Sequence, residues 1–250
     1  MKYIVNLDHS NTTKINFTII AILLCLSIIS VYLLNLGYET AYGFIPLFNF
    51  DMEFNIPSLY SFLSILLCSY LLHFIYLNKN ISKTECKYIY HWKALSFIFL
   101  YLAFDELMGI HEHLGPLISS SVLSKIGIYN LNISRNWVLI YVLLFGVIGL
   151  GFLKFFIHLP IESRFLFAIS GVLYVTGAVV LELLDGQLIV ADYNSLNLYR
   201  YLSSLEELFE MIGIALFIRA LILYIENNSY NNNFHVEVTM KTSKQDAIVM

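Results

Sequence analysis

Six stretches of this chain are each long and apolar enough to cross a bilayer. They run over about Ile15–Tyr38, Ser58–Leu77, His91–Ile110, Trp137–Phe156, Arg164–Leu184 and Tyr201–Tyr224. A hydrocarbon core of ~30 Å takes ~20 such residues as a helix. Lipid offers no partner to backbone amides, so segments of this kind must satisfy themselves as helices. The expected fold is therefore all-α, a polytopic bundle of six transmembrane helices over residues 1–225. From Glu226 the chain turns polar and Asn-rich, and residues 226–250 are expected to form a mostly disordered tail. Apolar residues make up 58% and charged residues 13%. That balance excludes a soluble enzyme, a disordered chain and a nucleic-acid binder. The first apolar run is too long for a signal peptide and no small-x-small site follows it, which makes it an uncleaved helix. Cys25, Cys68 and Cys86 form no CxxC and read as free thiols.

Lysine and arginine set the orientation. With six spans, eleven of them fall on one side: Lys2, Lys14, Lys79, Lys83, Lys87, Lys93, Lys154, Arg164, Arg219, Lys241 and Lys244. Lys125, Arg135 and Arg200 fall on the other. Both termini should face the cytoplasm. The Ile-, Asn- and Tyr-rich composition suggests an AT-rich bacterial genome, hence the bacterial inner membrane. The loop Glu39–Pro57 holds no basic residue and several Phe and Tyr, and reads as an interfacial segment. Trp92 and Trp137 read as interface anchors, and His73, His91 and His158 as ordinary interfacial histidines. The patch GVIGLG (146–151) reads as a helix-packing surface.

Against this apolar background, eight of the 18 acids lie in or at the ends of spans: Asp105, Glu106, Glu112, Glu182, Asp185, Glu206, Glu207 and Glu210. Each costs ~2.5–3.5 kcal/mol in a membrane-spanning helix, so their accumulation demands a role. At ~100° per residue, Glu112 falls within ~20° of Asp105, with His113 and Glu106 at the edge of the same stripe. Tyr101 shares it, whereas His111 points away unless the helix kinks near Gly109. Glu206, Glu210 and Glu207 share one face of the last span within ~100°, with Ser203 beside them. Asp185 lies ~60° from Glu182, on the side of Gly171 and Ala178, where small residues let helices approach closely. Depth agrees with angle. Asp105 is ~18 Å and Glu112 ~28 Å beyond Lys93, Glu182 is ~27 Å beyond Arg164, and Glu206 and Glu210 are ~9 and ~15 Å below Arg200. All eight fall in the outer half of the bilayer, so three helices should converge on one polar site.

Two like charges 4 Å apart repel by ~4 kcal/mol at an effective dielectric of 20, so the cluster needs cations or protons. Mixed carboxylate and imidazole donors suit zinc, iron or manganese. Asp105, Glu112, His113, Glu182, Asp185, Glu206 and Glu210 are the candidate ligands of a divalent metal. Glu106 and Glu207 are the candidate general acids or bases. The residue types resemble those of di-iron and di-manganese bundles, but no Glu-x-x-His occurs. HExxH, GxSxG and Walker motifs are absent as well.

The strings FLYLAFDELMGIHEHLG (99–115), VVLELLDG (179–186) and LEELFEMIG (205–213) resemble those of a family of bacterial six-span membrane proteins. That family pairs an Asp-Glu…His-Glu stretch with a later Glu-Glu-x-x-Glu stretch. The resemblance covers roughly residues 90–215. It implies that Asp105, Glu106, His111, Glu112, Glu206, Glu207 and Glu210 form a shared polar set, which adds His111 to the candidate ligands. It implies no reaction. The leading expectation is a metal-dependent membrane enzyme acting on a lipid or lipid-linked substrate that arrives laterally, a hydrolase rather than an oxidoreductase because hydrolysis needs no electron donor. The alternative is a proton- or cation-coupled transporter that uses the same acids as a relay. A structural or accessory subunit is a third reading. A relay should have acids through the full membrane depth, whereas these cluster at one level.

Overall fold

The computed structural model describes residues 8–81, 87–111, 113, 137–184 and 196–230. Every regular element among them is helical. Six long helices form the bundle: α1 (His9–Asn35), α3 (Ile56–Ile81), α4 (Ile89–Met108), α5 (Trp137–His158), α6 (Ile161–Leu184) and α7 (Leu196–Tyr230). The short α2 (Phe44–Phe48) lies between α1 and α3. Five of the six are long and apolar enough to cross a membrane. The sixth, α4, has 20 residues and so spans ~30 Å, but carries Lys93, Asp105 and Glu106. The architecture is that of a multi-pass membrane protein.

Local chemistry fixes the helix ends. Asp8 caps α1, its Oδ1 accepting a hydrogen bond from the Ser10 amide at 2.8 Å. At the other end Gly37 takes φ 90°, and the Gly37 and Tyr38 amides donate to Leu34 and Leu33. This paired closure needs a left-handed residue, which glycine supplies without a Cβ clash. Asn55 caps α3, exchanging hydrogen bonds with Ser58 in both directions. Within α6, residues Thr176–Leu181 form a wider π-helical segment, a feature common at functional sites.

α7 is the hub. It packs against α1, α3 and α6, and α4 packs along α3. Ile214, Ile218, Leu221, Ile222 and Ile225 of α7 meet Ile65, Leu72 and Ile75 of α3 in the core. Gly177 and Gly213 bring α6 and α7 together: a Cβ at Gly177 would lie 2.8 Å from the Glu206 carbonyl, and one at Gly213 2.8 Å from the Tyr174 amide. These two, rather than Gly171, are the close-approach glycines.

α5 stands apart. Only 11% of its apolar stretch is buried, against 61% for α7. It is held at two places. At one end Phe155 packs edge-on to Trp92 and stacks on His91, and His158 meets Tyr88. At the other the Tyr141 and Tyr101 hydroxyls are 3.0 Å apart. Between these holds, Cβ atoms at Gly146, Gly149 and Gly151 would meet nothing within 4 Å. The glycine patch therefore leaves open space and does not pack a helix. Trp92 also departs from expectation: it is 2% exposed and belongs to the aromatic core with Phe155, Phe167 and Tyr224, not to an interface belt. The Trp137 side chain lies outside the described residues.

The tail begins later than its composition suggests. α7 runs on to Tyr230, and His9 Nδ1 meets Glu226 Oε2 at 2.7 Å. The two ends of the described chain thus lie together. Residues 231–250 lie outside the described set, as does Cys86, while Cys25 and Cys68 are free thiols.

Candidate functional site

Between α4, α5, α6 and α7 lies a cavity of about 580 Å³. Its walls are mostly apolar, but one end gathers Asp105, Glu106, His111, Glu182, Glu206 and Glu210, with the Tyr141 and Tyr174 side chains among them. Three separate long helices thus contribute carboxylates to one chamber, at the end where α4 and α6 finish and α7 starts. Asp105, Glu182 and Glu206 are 6%, 4% and 8% exposed, a depth at which acids are almost never found unless paired. Glu106 has His111, Asp105 and Glu53 as its charged neighbours. Glu210 has Glu207, Glu106 and Glu182, with the Tyr174 hydroxyl beside it.

The path of the chain after α4 differs from the helical wheel. The helix stops at Met108 because Gly109 turns left-handed, at φ 55°. Spacing counted at 100° per residue therefore fails beyond that point. The turn folds His111 back over the end of α4. The His111 amide donates to Asp105 Oδ1 at 2.9 Å, and its Nδ1 lies 3.2 Å from Asp105 Oδ2. His111, which the wheel directs away, is thus fixed against Asp105 and lines the chamber. His113, which the wheel places on the acidic stripe, is exposed, and its Nδ1 bonds the Gly109 carbonyl at 2.7 Å. Glu207 is partly buried beside Glu210 and does not line the cavity. Glu112 and Asp185 lie outside the described residues.

Two acids that sequence reasoning left out belong here. The loop after α2 packs back onto the bundle. Phe50 is buried, and its amide donates to Ser27 of α1 at 3.2 Å. The Asn55 amide group donates to the Asn49 and Met52 carbonyls at 2.6 Å each. Asp51 accepts from the Tyr199 hydroxyl at 2.6 Å and the Ser203 hydroxyl at 3.1 Å, which ties the loop to α7. Glu53 then reaches Gly109: a Cβ at that glycine would overlap the Glu53 carboxylate. Phe54, next in line, adopts φ 55° and is exposed, a backbone cost of ~1–2 kcal/mol for an L-residue. The signal available in the sequence was two acids in a loop free of Lys and Arg.

Among the described residues, the His and acid donors that draw within 4.8 Å of one another as a trio are Asp8, His9 and Glu226, at the opposite end of the bundle. There the carboxylate of Asp8 caps a helix and Glu226 pairs with His9. The chamber carboxylates are gathered around a volume and not pinched to a point.

No curated protein and no solved structure matches the chain. A family model described as a domain of unknown function, DUF8692, matches residues 18–225, which takes in α3 to α6, most of α1 and α7, and every described residue of the chamber. The chain belongs to that family.

Proposed function

We propose that this protein is a metal-dependent membrane enzyme whose chamber opens toward the extracytoplasmic leaflet of a bacterial inner membrane, with both termini cytoplasmic, and that it hydrolyses a lipid or lipid-linked substrate. The observation that carries this reading is the Asp105–His111 pair. A metal-binding imidazole characteristically donates its other ring N–H to a carboxylate, which fixes the tautomer and raises the basicity of the ligating nitrogen. Asp105 Oδ2 lies 3.2 Å from His111 Nδ1, and with the proton on Nδ1 the ligating nitrogen would be Nε2.

Glu182, Glu206 and Glu210 line the same chamber from the facing helices and would draw in to supply further oxygen donors, a mixture that suits zinc, iron or manganese. Such an ion supplies a Lewis acid and a water of lowered pKa. Glu106, the residue next to Asp105, lines the same volume and would be the general base toward such a water. The apolar remainder of the chamber suits the hydrocarbon part of a lipid. The orientation is supported by the basic residues at the end opposite the chamber: Lys79, Lys87, Lys93, Lys154 and Arg164 flank the helix ends there.

Elemental analysis of the purified full chain tests the proposal. One or two equivalents of a transition metal should be present, and should fall below a tenth of that in His111→Ala and Glu206→Ala. A metal-free protein, after growth and dialysis with added zinc, iron and manganese, overturns it. If that protein also moved protons in vesicles, the transporter reading would take its place.

A further inference from the structure

Below the carboxylates the chamber continues. A second cavity of about 500 Å³ adjoins the first and shares the walls made by Leu95, Phe99, Leu102, Gly149, Phe152 and Tyr174. From Glu106 to Leu95 the walls extend ~16 Å along α4, about half the ~30 Å hydrocarbon core. That is the depth of one leaflet. One end is acidic, and the rest is lined by aliphatic and aromatic side chains, with Phe99 stacked on Phe217 at 4.8 Å and Phe167 beside it.

Two glycines keep this space clear. Gly149 of α5 lines both cavities and Gly171 of α6 lines the second, and a Cβ at either would meet nothing within 4 Å. Glycine in the middle of a helix costs ~0.5–1 kcal/mol relative to alanine. At Gly177 and Gly213 the close approach of two backbones accounts for that cost. At Gly149 and Gly171 no atom of the described residues does.

We propose that the joined cavities seat a single hydrocarbon chain of a membrane lipid, with its headgroup at the carboxylates and its tail passing between Gly149 and Gly171. This deepens the reading of the site as one that acts on lipid, and names the part of the substrate that this wall selects. The walls belong to membrane-spanning helices, so the molecules surrounding them are lipids. The bilayer-facing residues of α5, Leu143, Val147 and Leu150, are 70%, 69% and 74% exposed. A chain lying in the chamber would be parallel to its neighbours outside and separated from them only by α5. Both glycines line the cavities, so bulk at either should narrow the seat. Gly151, two residues along α5, lines neither cavity, and serves as the control.

The experiment uses the full chain in vesicles of phosphatidylglycerol and phosphatidylethanolamine, with a phosphatidylethanolamine bearing a mid-chain photoactivatable diazirine as the probe. Cross-links mapped by peptide mass spectrometry should concentrate on Leu95, Phe99, Phe152, Tyr174 and Phe217. Gly149→Phe and, from the opposite wall, Gly171→Leu should reduce those cross-links at least tenfold. Gly151→Phe should leave them unchanged, as should all three variants for cross-links to Leu143, Val147 and Leu150. Equal labelling of chamber and outer surfaces, or chamber labelling unaffected by both filling variants, overturns the proposal. So does a protein-to-protein product showing a second copy in the cavity. Metal measured on the same samples separates the two readings: chamber labelling in a metal-free protein would keep the chain seat and remove the metal enzyme, and metal with uniform labelling would do the reverse.

Discussion

The fate of Glu53 depends on one missing carbon. Gly109 has φ 55° and its Cα carries the Glu53 carboxylate where a Cβ would otherwise stand. Gly109→Ala should therefore cost ~1–2 kcal/mol from the left-handed backbone alone and also displace Glu53. Denaturant titration of Gly109→Ala, Glu53→Ala and the double variant checks this: the double should be less destabilised than the sum of the singles, because the clash needs both partners. Additive losses would show that the two do not meet. Asp105 makes a second prediction. Asp105→Asn keeps an acceptor for the His111 amide but loses the charge that polarises the ring, so metal affinity should drop about 10–100-fold. Competition with a chromophoric chelator would measure it, and an unchanged affinity would remove Asp105 from the site. A kink at Gly109 was open to the sequence as the way to redirect His111, but Glu53 was not legible from helical spacing. The wheel assumes a helix that the glycine ends, and Glu53 sits more than fifty residues from the acids it joins.

At the level of the helix, two kinds of glycine separate cleanly. Gly177 and Gly213 have backbone of the facing helix within 3 Å of where a side chain would start, whereas Gly146 has open space. Gly177→Val and Gly213→Val should each destabilise by ~1–3 kcal/mol, the range of an overpacked contact, and Gly146→Val by much less. Unfolding in detergent mixtures ranks the three, and a Gly146 variant as damaging as the others would refute the assignment. The spans themselves were readable, since length and apolarity alone place helices in lipid. α4 was readable too, although three charged residues interrupt it, because the flanking apolar run persists. What spacing could not show is which neighbour each face meets. Trp92 carries the residue type of an interface anchor, yet the turn into α4 directs it inward onto Phe155. GVIGLG has the composition of a packing seam and borders a void instead.

For the whole molecule, the number of spans and the charge asymmetry bind the two ends of the bundle to opposite sides of the membrane. His9 and Glu226 touch, and Asn35 at the far end of α1 accepts from Arg200 at the far end of α7 at 2.7 Å. A cysteine at Tyr42, which is fully exposed, should react with an impermeant maleimide in intact cells. One at Asn227 should react only after permeabilisation. The background would lack native cysteines, and the reverse pattern would invert the proposed orientation. The convergence of acids from α4, α6 and α7 was legible because topology and depth can be counted independently from the same sequence. The size and greasy lining of the chamber were not, since they arise from α5 standing off the bundle.

That stand-off has a mechanical side. A helix gripped by an aromatic clasp at one end and a pair of phenols at the other behaves as a strut loaded by the surrounding lipid. Thin bilayers compress its apolar span and thick ones stretch it, at a fraction of a kcal/mol per Å. The gap it guards should widen or narrow accordingly, so vesicles made from short- and long-chain lipids should give different occupancies of the same seat.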